Sequence, residues 1–274
     1  MPARRQPLPQ NLGSRLLVAT AGLPLVLGAA YLGGWWLFFL ALAAGLTALH
    51  ELYAITRPLR PLVIAGYAGL VLVLLGIELD GLAWGTGGVL VALAFAFLLK
   101  GITETRGSAT VAVSTTVLGV AWIGLGLGCA MLIRDIPLYG REAIYAVLLS
   151  VFGADTAAYA VGRLVGRHKL APAISPGKTW EGFVAGVVGA VVVSFFVLWE
   201  DRHEFLTVGE ALVLGLVVAL AGAAGDLFES SVKRDMQVKD AGHLLGGHGG
   251  MLDRIDSLLF ASAASYYLIL AFTT

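Results

Sequence analysis

The sequence of 274 residues has little of what a soluble or nucleic-acid-binding protein requires. Charged residues make up 13% of the chain, against about 25% in a typical soluble domain. Cys129 is the only cysteine, which excludes an intramolecular disulfide and a cysteine-based zinc cluster. Basic and acidic residues are equal in number, at 18 each, and no basic tract occurs. Nucleic acid is therefore not an expected partner.

Long apolar segments dominate the sequence instead. Apolar residues make up 58% of the chain, and the mean hydropathy is +0.86. An apolar helix needs about 20 residues to cross the core of a bilayer, and runs near that length recur from end to end. We therefore predict an all-α, polytopic integral membrane protein with about nine transmembrane helices. The predicted spans are residues 15–33, 35–55, 61–79, 86–100, 109–133, 142–162, 180–199, 207–227 and 255–273.

The distribution of basic residues between the loops predicts the orientation of the chain. With a cytoplasmic N-terminus, fifteen lysines and arginines lie on the cytoplasmic side, and only Arg134, Arg141 and Arg202 lie on the other. Cytoplasmic loops of membrane proteins carry such an excess of positive charge. We therefore expect the N-terminus to be cytoplasmic and the C-terminus to be external.

The two halves of the chain differ in chemical content. Residues 1–140 contain about five spans and few polar groups, which predicts a scaffold that could contact lipid or a second subunit. His50 and Glu51 end the second span, where solvation at the membrane interface is their expected role and a functional role is the alternative. The remaining spans, in residues 141–274, carry the candidate catalytic groups.

Asp155 lies in the middle of the sixth predicted span, among small residues. A charged residue at the centre of a bilayer costs at least about 2.5 to 3.5 kcal/mol on insertion scales, so it usually faces a polar cavity or a partner. Tyr159 and Arg163 follow at i+4 and i+8, on the same helical face and towards the cytoplasm. Asp155 is therefore a candidate for the wall of a polar cavity. A structural ion pair with a basic residue of another helix is the alternative.

Residues 175–182 read Ser-Pro-Gly-Lys-Thr-Trp-Glu-Gly. The Gly-Lys-Thr resembles the end of a phosphate-binding loop, but Pro172 stands where that motif requires glycine, and no strand precedes it. We predict instead that a helix starts here, with Ser175 as its N-cap and Pro176 at the first helical position. Its free N–H groups and Lys178 would form an anion site at the membrane surface. A cap combined with a topology signal is the alternative.

The densest group of charges lies between the last two apolar segments. If the eighth helix continues beyond its span, Asp226, Ser230 and Lys233 share one face at i, i+4 and i+7. Asp253 and Asp256, at i and i+3, share a face at the start of the ninth helix. Two helix ends can therefore direct three carboxylates, a hydroxyl and an ammonium group at one point. Such oxygen ligands suit Mg2+, which takes one or two carboxylates and completes its shell with water and substrate phosphates.

The connection between these two helices is rich in glycine and in basic residues. Five glycines between residues 239 and 250 allow backbone N–H groups to approach an anion without obstruction by a Cβ atom. Lys233, Arg234, Lys239 and Arg254 supply positive charge for binding phosphates. A solvated cytoplasmic loop would explain the basic residues, but not the acids, histidines and glycines among them.

These residues together resemble the signature of the phosphatidate cytidylyltransferase family. The resemblance covers residues 230–234 (Ser-Ser-Val-Lys-Arg), then Lys239 and Asp240, then residues 248–256 (His-Gly-Gly-Met-Leu-Asp-Arg-Ile-Asp). Residues 153–162, the Ser-Pro-Gly-Lys-Thr-Trp-Glu-Gly segment and the multi-span layout resemble the same family. Gly246 departs from the pattern, because proline is often expected there.

The resemblance implies transfer of a cytidylyl group from CTP to phosphatidic acid, which yields CDP-diacylglycerol and pyrophosphate at the cytoplasmic face of a bacterial inner membrane. It also implies Mg2+ as the cofactor, with room for a second cation, and a homodimer. The implied catalytic residues are Asp226, Lys233, Asp253 and Asp256, and the three aspartates among them are the implied metal ligands. The implied substrate-binding residues are Lys178, Ser230, Arg234, Lys239, His248 and Arg254. Asp155 and Asp240 are secondary candidates, as a cavity-lining residue and a metal ligand respectively.

Two other functions would use the same features. A CTP-dependent kinase of an isoprenoid or other lipid alcohol would transfer the γ-phosphate, so it would release CDP rather than pyrophosphate. An ion-coupled transporter would use Asp155 and the carboxylates as an ion path, but such proteins are built from repeats with paired broken helices. The sequence contains no convincing duplication, and its charges gather at one membrane face. We therefore expect the cytidylyltransferase.

Overall fold

The computed structural model describes residues 12–102, 107–242 and 249–273. Within these ranges the chain forms nine long helices, each of which coincides with a predicted span. They are α1 (Leu12–Leu32), α2 (Gly34–Ile55), α3 (Val63–Asp80), α4 (Leu82–Ile102), α5 (Ala109–Arg134), α6 (Gly140–Val165), α7 (Trp180–Val197), α8 (Val208–Asp235) and α9 (Leu252–Thr273). Eight of these described helices, α2 to α9, are long and apolar enough to cross a membrane. The predicted all-α, polytopic class is confirmed.

Short turns and capped ends set the helices antiparallel. Only Gly81 separates α3 from α4, with a φ of 81°, a left-handed conformation that glycine adopts without strain. At the start of α8, the Thr207 hydroxyl accepts a hydrogen bond from the Glu210 N–H, and the Glu210 carboxylate accepts one from the Thr207 N–H. This capping box fixes the end of α8 that lies far from the charged segment.

Two apolar cores hold the helices together, and α9 contributes to both. The first core joins α2, α3, α5 and α9 through residues such as Leu49, Leu70 and Ile123, with Leu252 and Leu259 from α9. The second joins α6, α8 and the far half of α9 through residues that include Val147, Leu214 and Ile269. The N-terminal and C-terminal halves of the chain are therefore packed against one helix, which begins at the predicted catalytic segment.

Helices α6 and α7 approach each other closely because their contact face consists of small residues. A Cβ atom on Gly182 would lie 2.7 Å from the carbonyl oxygen of Ala158, and one on Gly186 would lie 3.1 Å from that of Ala154. Small residues four apart allow such contact between membrane helices. The close approach fixes the position of the α6 segment that carries Asp155.

A short β-hairpin precedes α7 and corrects one prediction. Strands β1 (Lys169–Ala171) and β2 (Ser175–Thr179) pair antiparallel, with Lys169 opposite Thr179 and Ala171 opposite Ser175. The helix begins at Trp180, and its N-cap is Thr179, whose hydroxyl accepts a hydrogen bond from the Gly182 N–H at 3.2 Å. The predicted N-cap at Ser175, with Pro176 in the first helical turn, is therefore wrong. Pairing of β2 with β1 keeps these residues extended.

Candidate active site

A cavity of about 760 Å³ opens at one end of the C-terminal helices. The C-terminal end of α6, the hairpin, the start of α7, the end of α8 and the start of α9 all contribute to its wall. Among the described residues that line it are five carboxylates and three basic side chains: Asp155, Asp226, Glu229, Asp253 and Asp256, with Arg163, Lys178 and Lys233. Half of the site residues predicted from the sequence thus line one cavity: Asp155, Lys178, Asp226, Lys233, Asp253 and Asp256.

The α8 contribution follows from the length of that helix. Because α8 continues to Asp235, Asp226, Ser230 and Lys233 share a face, as predicted. The Ser230 hydroxyl lies 3.5 Å from Oδ1 of Asp226, at the outer limit of a hydrogen bond. The same face also presents Glu229, whose side chain is buried.

Three carboxylates converge between α8 and α9. One carboxylate oxygen from each of Asp226, Glu229 and Asp256 can be chosen so that all three lie within 4.8 Å of one another. Oε1 of Glu229 is buried and has no hydrogen-bond partner among the described residues. A buried carboxylate oxygen without a donor is costly, and a cation is one group that would satisfy it. Oxygen ligands in this number suit Mg2+.

Lys233 lies between two carboxylates from different helices. Its Nζ is 2.6 Å from Oε2 of Glu229 on the same helix and 2.5 Å from Oδ1 of Asp253 on α9. All three side chains are largely buried, with exposed fractions of 12%, 2% and 14% respectively. Lys233 therefore neutralises charge inside the cavity and ties the end of α8 to the start of α9.

Asp253 also organises the connection between these two helices. Its Oδ2 accepts hydrogen bonds from the backbone N–H groups of Gly250 at 2.7 Å and of Ala241 at 3.1 Å. Gly249 has a φ of 79°, and a Cβ atom there would lie 2.7 Å from the same oxygen. Both oxygens of Asp253 thus have protein partners, and its predicted contact with a metal stays a prediction.

Asp256 is placed by the close contact of α8 with α9. A Cβ atom on Gly225 would lie 2.5 Å from the backbone oxygen of Asp256, so only glycine allows the two helices to approach this far. The Asp256 side chain is buried, and its Oδ1 accepts a hydrogen bond from the Ser257 N–H at 2.7 Å. The glycine before Asp226 thereby sets the distance between the carboxylates of the two helices.

The hairpin delivers Lys178 to the carboxylate cluster. Nζ of Lys178 lies 2.5 Å from Oδ2 of Asp226, and the two side chains are 23% and 35% exposed. The base of the hairpin is fastened by Glu181, whose carboxylate lies 2.6 Å from Nδ1 of His168 and accepts the His168 backbone N–H at 3.2 Å. Lys178 therefore reaches the site from a strand and not from a helical first turn.

Asp155 lies on the wall of the same cavity as Asp226 and Asp253. It is ten residues from the end of α6, which at about 1.5 Å per residue puts it roughly 15 Å along the helix from that end. Nearer the end, Arg163 donates a hydrogen bond to the hydroxyl of Tyr159 at 2.8 Å, so these residues share a face as predicted. The cavity thus extends from charged groups at the helix ends towards the middle of a membrane-spanning helix.

The remaining predicted residues lie around the cavity. Nε of Arg234 donates to the carbonyl oxygen of Ile174 at 3.1 Å and so joins the end of α8 to the turn of the hairpin. Lys239, Asp240 and Arg254 are exposed and, in the part of the chain that the structure describes, lie beyond the residues that line the cavity. His248 lies outside the described residues.

The structure changes the interpretation of two buried glutamates, since sequence analysis did not single out Glu229 and expected Glu51 to be solvated at the interface. Glu229 follows Asp226 by three residues and precedes Lys233 by four, so helical spacing alone could have found it. Glu51 is only 3% exposed, and its Oε2 accepts a hydrogen bond from the backbone N–H of Leu252 at 2.9 Å. The expected solvation of Glu51 at the interface is therefore wrong, because a residue 201 positions away in sequence covers it.

The arrangement can bind and orient polyanions beside a membrane. It combines a carboxylate cluster suited to a divalent cation with two ammonium groups from separate elements, Lys178 and Lys233. Among the described residues lining the cavity, no histidine or cysteine is present. Positioning and charge stabilisation, the main needs of phosphoryl transfer, are therefore the chemistry that this site can supply.

Comparisons with known proteins agree with this chemistry. The sequence profile described as the cytidylyltransferase family matches residues 13–272. The chain is 32% identical over 267 residues to the phosphatidate cytidylyltransferase of Mycobacterium bovis, covering 90% of this chain and 84% of the relative. The Staphylococcus haemolyticus protein of the same name is 32% identical over 250 residues, covering 90% and 94%. That of Bacillus subtilis is 37% identical over 158 residues, covering 57% and 58%.

Proposed function

The chain belongs to the cytidylyltransferase family, and from this premise we propose that it transfers the cytidylyl group of CTP to phosphatidic acid. The products are CDP-diacylglycerol, a precursor for phospholipid biosynthesis, and pyrophosphate. The observation that carries the proposal is the convergence of the Asp226, Glu229 and Asp256 carboxylates beside Lys178 and Lys233 in one cavity of a membrane-spanning bundle. The names of the relatives, phosphatidate cytidylyltransferase, support the identity of the lipid substrate.

The donor set supports dependence on Mg2+. Asp226, Glu229 and Asp256 offer only oxygen atoms, and Oε1 of Glu229 is buried without a hydrogen-bond partner among the described residues. These residues would hold the ion, which when bound would stabilise negative charge on phosphoryl oxygens as a Lewis acid. Asp253 and Asp240 remain candidates for further metal contacts, including those to a second cation.

The reaction requires little proton chemistry from the protein. A phosphate oxygen of phosphatidic acid forms a bond to the α-phosphorus of CTP. The bond from that phosphorus to the oxygen that bridges it to the β-phosphorus breaks, and pyrophosphate leaves with the electron pair. Because the attacking phosphate is already an anion, no strong general base is needed. The work of the side chains is to hold two mutually repelling anions in line and to stabilise the charge that develops.

Lys178 and Lys233 are suited to different roles in binding the substrate phosphates and stabilising their charge. Lys233 is held by two largely buried carboxylates, so we assign it a fixed position beside the transferring phosphoryl group. The Lys178 ion pair with Asp226 is more exposed than the pairs of Lys233, so solvent screens it more strongly. Lys178 can therefore move from Asp226 to a substrate phosphate at little cost. Arg234, Lys239, Arg254, Ser230 and His248 complete the proposed set of substrate-binding residues.

The site is proposed to face the cytoplasm in a bacterial inner membrane. Its charged residues lie at the helix ends that the positive-inside rule assigns to the cytoplasm, where CTP is available. Phosphatidic acid would enter from the bilayer, with its headgroup in the cavity. We further propose a homodimer, which crosslinking in membranes and the mass of the purified protein in detergent would test.

The activity can be tested with purified protein, phosphatidic acid in detergent micelles, and CTP labelled at either the α- or the γ-phosphate. We expect α-label to enter a CDP-lipid and γ-label to leave as pyrophosphate, only when both phosphatidic acid and Mg2+ are present. Release of CDP and γ-label in the lipid would instead identify a kinase. Failure of the parent protein to form CDP-lipid would refute the proposed function.

The assigned aspartates can be tested in the same assay. Asp253→Asn weakens the ion pair with Lys233 and the hydrogen bonds that Asp253 accepts from Ala241 and Gly250, in the connection between α8 and α9. Asp256→Asn removes a charge from the carboxylate cluster. We expect CDP-lipid formation to fall by at least tenfold in each variant. Full activity in both would refute the assignment of these residues.

A further inference from the structure

We propose that Glu51, in the N-terminal half of the chain, is a positioning residue for the reaction. It would hold the N-terminus of α9, and with it the carboxylates of Asp253 and Asp256, in register with α8. This inference rests on the proposed function for its kinetic readout. Its structural basis is a set of contacts that connect α2 to the start of α9.

The first contact is a hydrogen bond between distant parts of the chain. Oε2 of Glu51 accepts the backbone N–H of Leu252 at 2.9 Å. Leu252 is the first residue of α9, and the first N–H groups of a helix have no partner within the helix. An acceptor with negative charge is favourable at that position, since the helix dipole is positive there. Glu51 thus acts as an N-terminal cap supplied by another helix.

The second set of contacts involves Gly242 and Gly250, in the connection between α8 and α9. A Cβ atom on Gly242 would lie 2.5 Å from Oε1 of Glu51, and a Cβ atom on Gly250 would overlap its Oε2. The Glu51 carboxylate therefore packs against the backbone of both residues. Gly250 and Ala241, the residue before Gly242, also donate their backbone N–H groups to Asp253. The carboxylates of Glu51 and Asp253 therefore contact the same stretch of backbone.

The burial of Glu51 argues against a role in stability alone. Glu51 is 3% exposed, its partner Leu252 belongs to an apolar core, and its Oε1 has no hydrogen-bond partner among the described residues. Burial of a carboxylate with an unpaired oxygen is unfavourable, and an apolar residue of similar volume would cost less. A carboxylate at position 51 is better explained by its hydrogen bond with the Leu252 N–H, which positions the start of α9.

The test compares two substitutions of similar volume. Glu51→Gln keeps an oxygen that can accept the Leu252 N–H, and Glu51→Leu removes it. The matched control is His50→Ala, since His50 is exposed and forms its hydrogen bond with Tyr67 on another side of α2. The readouts are kcat and KM for CTP, and hydrogen exchange of the amides of residues 249–256 in the protein without substrate.

We expect Glu51→Leu to lower kcat at least tenfold and to accelerate exchange of these amides, whereas Glu51→Gln stays within about threefold of the parent and His50→Ala is unchanged. Equal loss of kcat in the Gln and Leu variants would overturn the proposal, as would a kcat within twofold of the parent for Glu51→Leu. Hydrogen exchange does not depend on the reaction, and the activity of the parent is measured separately. Failure of this inference is thus distinguishable from failure of the proposed function.

A second pair of variants covers the case in which Glu51→Leu does not fold. Gly242→Ala retains Glu51 but pushes its carboxylate away, because the new Cβ would lie 2.5 Å from Oε1. Gly87→Ala in α4 is the matched control, since a Cβ there meets no atom within 4 Å. We expect Gly242→Ala to lower kcat at least fivefold and to accelerate exchange at residues 249–256. Parent-like kcat and exchange in Gly242→Ala would refute the positioning role.

Discussion

Replacement of Glu229 by glutamine removes one negative charge from the carboxylate cluster and keeps the shape of the side chain. The loss acts on the proposed metal, because an oxygen of Glu229 lies within 4.8 Å of oxygens from Asp226 and Asp256. Loss of a group that merely supports a metal ligand typically lowers metal affinity 10- to 100-fold. We therefore expect the Mg2+ concentration for half-maximal activity to rise at least tenfold, which corresponds to about 1.4 kcal/mol.

The assay measures CDP-lipid formation over a Mg2+ titration, together with binding of Mn2+ to the protein without substrates. Glu210→Gln is the matched control, because it is the same substitution on the same helix and glutamine can replace glutamate in a capping box. It should leave the Mg2+ midpoint unchanged. A shift of less than threefold for Glu229→Gln, with Mn2+ binding equal to that of the parent, would refute the role of Glu229 in metal binding.

Two further predictions concern the packing of α8 against α9. Lys233→Met leaves the largely buried carboxylates of Glu229 and Asp253 without their shared cation. We expect the free energy of unfolding, measured with SDS in mixed micelles, to fall by about 3–5 kcal/mol. Unfolding at the same SDS concentration as the parent would contradict this. Gly225→Ala puts a Cβ 2.5 Å from the backbone oxygen of Asp256, which should cost about 1–3 kcal/mol. Gly222→Ala, whose Cβ would lie 3.6 Å from that of Ser257, should unfold like the parent, and equal unfolding of both alanine variants would refute the packing argument.

The transmembrane layout could be predicted from the sequence because it depends on local composition. Each described helix coincides with a predicted span to within a few residues, apart from the extension of α8. That extension was the condition under which the spacing of Asp226, Ser230 and Lys233 predicts a common face. Unpaired backbone N–H and C=O groups are costly in lipid, so a long apolar segment pairs them within itself by forming a helix. Polar residues at helical spacing then indicate a common face.

The start of α7 could not be predicted in the same way. Ser175 and Pro176 are favourable residues for the first turn of a helix, and local sequence offers no reason to reject them. Their extended conformation depends on pairing of β2 with β1 and on the hydrogen bond from the Trp180 N–H to the His168 carbonyl oxygen at 2.9 Å. Pairing between two short segments is a tertiary effect that outweighs local preference.

The partners of the buried charged residues could not be predicted from the sequence either. Helical spacing places Lys233 near Glu229, but its contact with Asp253 requires the distance between α8 and α9, which Gly225 sets. Glu51 is harder still to assign, because its partner, Leu252, is 201 residues away and uses a backbone N–H. Backbone donors carry no side-chain signature, so neither composition nor spacing could identify this contact.

The charges that line the cavity explain why such a site would need a cation. Five carboxylates and three basic side chains among its described lining residues leave a formal charge of −2 when all are ionised. The proposed substrates are both anions, so a lining with all of these groups ionised would repel them unless a cation is bound. One divalent cation at Asp226, Glu229 and Asp256 would cancel this charge, and it would also free Lys178 from Asp226 to bind a phosphate. Entry of CTP together with a divalent cation therefore follows from the electrostatics of the proposed site.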